Sequence, residues 1–265
     1  MTLEMKYGGF EFHGFVRDYG QPLDGFYIGV DGVEGWMDGV EMRTTAEASP
    51  DGVGDFVLPG ELANRTISWS GLCFAQSEDA LAEWGEGFTA IASDGDAHRL
   101  QGDELGRQRW AMAQRSGKPT FRAARRPTRN LRARYEISLN APDPRKYASV
   151  DRALLAFTSG PIEVVVRGTY LSTPTFTVRA TTNMPAGYTL RVGADQFRVS
   201  APLTAGQSHV IDMNDELVTL GGVAVLGAKS GGVPLYVRPR TPTDVSLVPN
   251  SGAGQFICSA PPTFV

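Results

Sequence analysis

The chain of 265 residues is long enough to bury one large core or two smaller ones, and we expect two domains. Its 31 glycines and 17 prolines exceed average usage but stay below the range of disordered chains, which indicates many short strands joined by turns. A net charge of -4 at pH 7 argues against a chain that binds nucleic acid over its whole surface.

The charge is unevenly distributed along the chain. Residues 1–98 carry 18 acidic and 4 basic side chains, whereas residues 99–134 carry 2 acidic and 11 basic ones. Opposed charges within one module suit head-to-tail contact between identical subunits, which closes into a ring when the rotation permits. Pairing of the same charges within one subunit is the alternative, and charge alone does not decide between the two.

Neither the first residues nor the longest apolar stretch of the chain suggests a signal peptide or a membrane span. Met1–Gly14 has charges and glycines where a signal peptide needs an apolar core, so we expect the chain to fold in the cytosol. The longest apolar stretch, Val218–Ala228, is about half of a membrane span and is broken by two glycines. It predicts a pair of strands, and no membrane anchor is expected.

The first segments have the pattern of strands. Gly25–Val40 alternates apolar residues with Asp-Gly and Glu-Gly pairs, which is typical of short strands joined by tight turns. In Thr66–Phe74 the alternation puts Ile67, Trp69 and Cys73 on one face. This pattern predicts a strand that is buried on one side.

The period then changes to that of a helix. We expect four apolar residues at helical spacing to pack against a sheet: Leu81, Trp84, Phe88 and Ile91. Ser77 is a good N-cap residue, and two acidic residues follow it at the positive end of the helix dipole. We predict one helix, from Glu78 to about Ala92.

The basic segment Lys118–Arg134 predicts a projecting hairpin or loop, closed by the strand Tyr135–Leu139. The segment has few aromatic residues and no nucleic-acid reading motif, so contact with the acidic residues 1–98 of a neighbouring copy is favoured over binding of nucleic acid. The predicted inter-subunit interface comprises Arg122, Arg125, Arg126, Arg129 and Arg132.

Asn140–Tyr147 contains two prolines around an Asp, which predicts a rigid connector at the edge of a domain. Beyond it the pattern is β throughout, as in an antiparallel sandwich or jelly roll. The predicted strands are Pro161–Gly168, Thr175–Thr181, Tyr188–Val192, Gln196–Val199, Ser208–Met213, Leu217–Leu220, Pro234–Arg238 and Gln255–Ala260.

The sequence contains no recognised catalytic motif. His13, His98 and His209 are scattered singly, with no metal-ligand spacing, and no phosphate-binding loop or nucleophile elbow is present. Cys73 and Cys258 are predicted to be buried free thiols. We therefore expect no enzyme, no cofactor and no metal, although chain order does not test a catalytic triad assembled only in space.

Taken in order, these segments resemble the distal tail protein, or minor tail protein, of long-tailed, non-contractile bacteriophages. The resemblance spans nearly the whole chain. It rests on Tyr27–Val40, the turn-rich Ala48–Gly60, the strand ending at Ser70 and Gly71, the helix after Ser77, Leu139–Tyr147 (LNAPDPRKY), Ile162–Gly168, Val210–Met213 and Thr219–Gly222.

The resemblance implies an all-β protein with one helix. Residues 1–148 would be a β-barrel-like, ring-forming domain with a projecting hairpin or belt extension, which by position falls in Lys118–Arg134, and residues 149–265 a galectin-like β-sandwich. It also implies a homo-hexameric ring at the distal tail tip of the virion, assembled in the host bacterial cytoplasm. The ring would connect the tail tube protein to the tail-tip hub, or tail-associated protein, and to receptor-binding proteins of the baseplate. DNA would pass through it without specific binding, and acidic side chains of residues 1–98 would repel the phosphates if they line the lumen.

The alternative function is that of a carbohydrate-binding module in a host-recognition apparatus, because such sandwiches often bind sugars through exposed aromatic residues. The candidate aromatics are Tyr170, Phe176, Tyr188, Phe197 and Tyr236, and four of the five lie in strand patterns that indicate burial. A cell-wall hydrolase would need paired carboxylates, and no setting for them is identifiable.

Overall fold

The computed structural model describes residues 3–14, 24–44, 46–48, 55–57, 60–104, 106–123, 131–150 and 152–265. It is nearly all β, and the described residues include a single α-helix, so the predicted fold class is confirmed. The chain divides into two compact units, Met1–Lys146 together with Val265, and Tyr147–Phe264.

The first unit is a closed barrel. Its strands are β1 (Glu4–Tyr7), β2 (Phe10–His13), β3 (Gly25–Glu34), β4 (Met42–Arg43), β5 (Ala46–Ala48), β6 (Asp55–Val57), β7 (Glu61–Leu62), β8 (Arg65–Ala75), β9 (His98–Glu104), β10 (Arg107–Arg115), β11 (Thr120–Ala123) and β12 (Leu131–Ala141). Seven of them close in the order β12-β8-β3-β2-β1-β9-β10, and β10 pairs back to β12 through Gln114 opposite Asn140 and Arg115 opposite Leu139. All these pairs are antiparallel except β2 with β3. A short strand, β13 (Lys146–Tyr147), spans the division between the units.

The longest ladder of the barrel joins β8 to β12. It runs from Leu131 opposite Ala75 to Ala141 opposite Arg65. The alternating residues Ile67, Trp69 and Cys73 of β8 are buried, and so are the residues opposite them in β12, Leu139, Ile137 and Ala133, because alternate side chains of a strand point to the same face.

The helix α1 (Glu78–Thr89) starts where the sequence predicts, since the Ser77 side chain accepts a hydrogen bond from the backbone N–H of Ala80 at 3.1 Å. It ends three residues before the expected Ala92, which has a left-handed backbone with φ of 46° that a helix cannot continue through. Ile91 therefore lies in the turn after the helix.

Phe88 of α1 lies at the centre of the barrel core. Its ring centroid is 5.3 Å from those of both Phe26 and Tyr135, and 6.4 Å from that of Phe12. The Phe88 side chain has no exposed surface. One helical residue thus joins rings from three strands of the barrel.

The second unit is a sandwich of two five-stranded sheets. Its ten strands are β14 (Ile162–Val164), β15 (Thr175–Ala180), β16 (Tyr188–Val192), β17 (Asp195–Val199), β18 (Ser208–Asp212), β19 (Leu217–Leu220), β20 (Val223–Ala224), β21 (Lys229–Gly232), β22 (Thr243–Pro249) and β23 (Gly254–Ser259). A further strand, β24 (Thr263–Phe264), lies outside these two sheets. One sheet has the order β14-β22-β16-β17-β21 and the other β20-β19-β18-β15-β23. Their inward residues share one buried core.

One strand predicted for this unit is absent, and the strand β22 was not predicted. Pro234–Arg238 is not a strand, because Pro234 has no N–H to donate and the segment forms only isolated bridges, such as Ser172 with Val237. Conversely, the unpredicted β22 lies inside its sheet, between β14 and β16.

The cysteines are free and buried, as predicted. Burial raises the pKa of Cys73 to about 12 and that of Cys258 to about 12, so both remain neutral thiols.

We expect Phe88→Ala to lower the free energy of unfolding by about 3 to 5 kcal/mol, because it leaves a cavity among packed rings. Chemical denaturation followed by tryptophan fluorescence measures the loss. Glu86→Ala, an exposed change on the same helix, should stay within about 0.5 kcal/mol. Equal losses in the two variants would contradict this position for the ring.

His209 predicts a pH dependence of the second unit. It is buried, its Nδ1 lies 3.0 Å from the hydroxyl oxygen of Tyr188, and burial lowers its pKa. The unfolded chain then binds more protons than the folded one in acid, so the free energy of unfolding should fall as the pH falls below about 6.5. Denaturation at about pH 8 and about pH 5 should show a larger loss for the wild type than for His209→Gln, in which all other groups titrate unchanged. Equal losses would refute the assignment.

Candidate assembly interface

The basic segment contributes β11 and the start of β12, which pair in an antiparallel ladder; we call these two strands the hairpin. Arg122 lies directly opposite Arg134, and Arg132 comes two residues before Arg134 in β12. All three side chains are exposed. Arg125, Arg126 and Arg129, the other residues of the predicted interface, lie outside the described residues.

The four predicted helix-packing residues occupy different environments. Leu81 and Phe88 of α1 and Ile91 of the following turn are buried in the first unit, whereas Trp84 is half-buried against the same core. The Trp84 ring lies 5.6 Å from that of Phe26.

An apolar groove of about 540 Å³ runs between α1 and the hairpin. Phe121, Ala123 and Leu131 form one side of it, and Leu81 lies on the other. The helix approaches β11 closely at Gly85, where a Cβ atom would meet the Phe121 ring at 2.8 Å. The groove therefore provides apolar surface next to the arginines.

Two short ladders, which the sequence does not predict, lie outside the barrel sheet. They pair β4 with β7 and β5 with β6. We call the described residues of this part, 42–44, 46–48, 55–57 and 60–62, the arm. The sequence predicts only turns over part of it, because its short strands lack the long apolar alternation that predicts a half-buried strand.

Two buried cations hold the base of the arm. The Arg65 guanidinium donates hydrogen bonds to the carbonyl oxygens of Gly35 at 2.6 Å, Asp38 at 2.8 Å and Pro144 at 2.9 Å. The Lys146 ammonium donates to the carbonyl oxygen of Trp36. These bonds attach the turn that leads into the arm to β8 and to the end of the barrel domain.

Gly35 is needed at this turn. Its φ is 75°, and a Cβ atom there would lie 1.8 Å from the carbonyl oxygen of Thr66. Its N–H donates to the Asp38 carboxylate at 2.7 Å, which closes the turn. The arm thus leaves the barrel from a fixed base.

The strands β1, β2 and β9 carry acidic side chains on the outside of the barrel. Glu4 lies directly opposite Asp103, and Lys6 lies opposite Glu11. The Lys6 ammonium is 2.5 Å from the Glu11 carboxylate, and this hydrogen bond raises the pKa of Lys6 and lowers that of Glu11. The Glu4 and Asp103 pair faces outward beside them.

The remaining polar groups form no recognisable catalytic set. His98 Nε2 lies 2.9 Å from the Asp94 carboxylate, which lowers the pKa of Asp94. Among the described residues no group of three or more His, Cys, Asp or Glu side chains could hold a metal ion. No helix among them is long and apolar enough to cross a membrane.

The aromatic residues proposed for sugar binding are mostly inaccessible. Phe176, Tyr188 and Phe197 are fully buried, and Tyr170 is half-buried. Tyr236 is exposed. Stacking against a sugar ring needs accessible faces, so the described surface of the second unit gives little support to this alternative.

No protein-family model and no curated protein match the chain. Comparison with solved structures identifies the fold as that of a phage adsorption-apparatus hub protein. One similar structure is that of the Dit protein of phage SPP1, described as a paradigm of the hub adsorption apparatus in phages that infect Gram-positive bacteria. The similarity covers 100% of both chains with a TM-score of 0.69 and 13% sequence identity, so it establishes a likeness of fold.

Two structures of the phage p2 baseplate in its activated conformation are also similar. The one with strontium has a TM-score of 0.48 and 10% identity over 97% of both chains. The one with calcium has a TM-score of 0.45 and 12% identity over 83% of this chain and 87% of the other. Both TM-scores are too low to support a conclusion.

The arm base yields a stability prediction. Arg65→Met removes three hydrogen bonds and leaves buried carbonyl oxygens without a donor, so we expect a loss of about 3 kcal/mol in the free energy of unfolding. Arg43→Met, which removes an exposed bond to Asn64, should cost less than about 1 kcal/mol. Denaturation curves of both variants provide the comparison, and similar losses would show that the base does not depend on Arg65.

Proposed function

We propose that this chain is a structural virion protein that forms a hexameric ring at the distal end of a phage tail. The ring connects the tail tube protein to the tail-tip hub and the receptor-binding apparatus. The fold likeness to the SPP1 Dit protein over the full length of both chains carries the proposal. The order of the sequence motifs points to the same family.

The surface of the barrel supports self-assembly. A basic hairpin on one side and outward carboxylates on another suit head-to-tail contacts between identical copies, which close into a ring. The arm, whose leading turn is held by Arg65 and Lys146, adds a second element outside the barrel sheet for contact with a neighbouring copy.

In this proposal residues 1–148 form the ring and residues 149–265 form a galectin-like β-sandwich domain. The two facing sheets of the second unit are consistent with such a sandwich. DNA passes through the ring without specific binding, and acidic side chains of the first domain line the lumen. The chain assembles in the host cytoplasm and performs no catalysis, which agrees with the absence of a recognised motif in the sequence.

The deciding measurement is the mass and shape of the protein in solution. Light scattering should give six times the mass of the chain, and negative-stain images should show closed rings with a central channel. A monomer that binds glycans on an array would support the carbohydrate-binding module instead. A monomer without either property, or a ring with a strongly basic lumen, would contradict the corresponding part of the proposal.

A further inference from the structure

On the outside of the barrel there are two cross-strand pairs, and the two members of each pair carry charges of the same sign. Arg122 and Arg134 are partners in the ladder of β11 and β12, and both are exposed. Neighbours at such positions have Cβ atoms roughly 5 Å apart, so like charges there destabilise the isolated subunit. Among the residues that the structure describes, neither arginine makes an ion pair, although Glu136 lies diagonally across the ladder.

The second pair has the opposite sign. Glu4 of β1 lies opposite Asp103 of β9, and both carboxylates are on the outer face. The Asp103 carboxylate accepts a hydrogen bond from the N–H of Gly106 at 2.9 Å. Of the neighbouring cations, Lys6 forms its ion pair with Glu11 and has a further, weaker electrostatic interaction with Glu4, and the Arg99 guanidinium lies 4.7 Å from the ring centroid of Trp110.

The strand order puts these two pairs at different positions around the barrel. β11 pairs with the edge of β12 that also pairs with β10, and β10 is followed in the barrel by β9 and then β1. The arginine pair therefore lies on the β10 side of β12, and the carboxylate pair begins at β9, on the far side of β10. We call Arg122 and Arg134 the basic pole, and Glu4 and Asp103 the acidic pole.

Uncharged or half-buried residues separate the poles along the wall. Arg134 lies opposite Leu72, Leu72 opposite Tyr27, and Tyr27 opposite His13. Each of these three outward residues is half-buried. The charges therefore form two distinct patches.

We infer that the basic pole of one copy binds the acidic pole of the next, and that this contact closes the ring. The inference rests on the proposed function, since it names the surfaces through which that ring assembles. Each pole has an excess of the charge that the other complements, so one contact reduces repulsion in both subunits. Because the two poles are different surfaces of the same subunit, the contact is head-to-tail.

Both poles also have apolar surface beside them, which an interface core needs. The groove between α1 and the hairpin borders the basic pole through Ala123 and Leu131. Near the acidic pole, Met112 of β10 is 40% exposed, and Trp110 is half-buried. Apolar surface beside both charged poles is what a stable protein interface requires in addition to the charges.

A second copy accounts for these observations better than nucleic acid does. The aromatic residues of the hairpin are Phe121, which is half-buried against α1, and Tyr135, which is fully buried, so neither presents a face on which a base could stack. Nucleic acid would also leave the acidic pole without a partner.

The test uses charge reversal at each pole of the full chain. The basic-pole variant is Arg122→Glu with Arg134→Glu, and the acidic-pole variant is Glu4→Arg with Asp103→Asn, in which the amide still accepts from Gly106. Each variant alone presents like charges across the contact, and we expect its association to weaken at least about tenfold. A mixture of equal amounts should restore rings in which the two variants alternate, as a ring of six permits. Sedimentation velocity and negative-stain images measure both results, and high salt should weaken the wild-type ring.

Arg191→Glu with Arg198→Glu is the matched control, because it reverses two exposed arginines on β16 and β17 of the second unit. It should assemble like the wild type. Near-UV circular dichroism tests the folding of every variant, and Arg122→Gln with Arg134→Gln replaces the basic-pole variant if that one does not fold. If either pole variant alone formed rings as stable as those of the wild type, or if the mixture failed to reassemble, this inference would be overturned. The proposed function, that the chain forms a ring, would still stand. A wild type that forms no ring would refute the proposed function as well, and loss of nucleic-acid binding with intact rings would assign the basic pole to nucleic acid.

Discussion

The pairing of β12 is the constraint on which the barrel and its surface depend. One edge of β12 pairs with β8 over its entire length, and the other edge is divided between β10 at one end and β11 at the other. The contact with β10 closes the barrel around Phe88 and the rings beside it. The contact with β11 places Arg122 beside Arg134 and forms one side of the groove along α1. One strand therefore determines both the core and the charged surface that faces outward.

The arm shows how short ladders outside the barrel sheet are held at the point where the chain enters them. A hairpin of two short ladders is marginal in isolation, so its direction has to be set where it joins the barrel. Arg65 and Lys146 do this from buried positions, and their charges are satisfied by backbone carbonyl oxygens of the turn that leads into the arm. A buried cation with few donors unsatisfied is costly to disturb, which makes the turn a rigid support.

Features that depend on local pattern could be predicted from the sequence. The strand faces of Thr66–Phe74 and the start of α1 at Ser77 follow from period-two alternation and N-cap chemistry, and both occur as expected. Features that depend on partners far away in the chain could not. The strand β22 was not predicted, because prolines near its two ends are typical of turns. The alternation of Val245 and Leu247 with polar residues is the signal that indicates a strand there. The basic segment was identified from composition, but the opposition of Arg122 to Arg134 is a matter of register, which composition does not contain.

The charge asymmetry along the sequence gains its meaning only through the strand order. Residues 1–98 are acidic and residues 99–134 basic, yet Asp103 of the basic segment joins Glu4 in one patch because β9 pairs with β1. Conversely, many acidic residues of the first segment lie on α1 and on loops, away from that patch. Linear charge therefore predicts that two opposed surfaces exist, whereas the closed order of seven strands determines which residues form them. Since exposed charges are screened and individually weak, opposed patches guide assembly chiefly by orienting the copies, and apolar contacts beside them must supply much of the affinity.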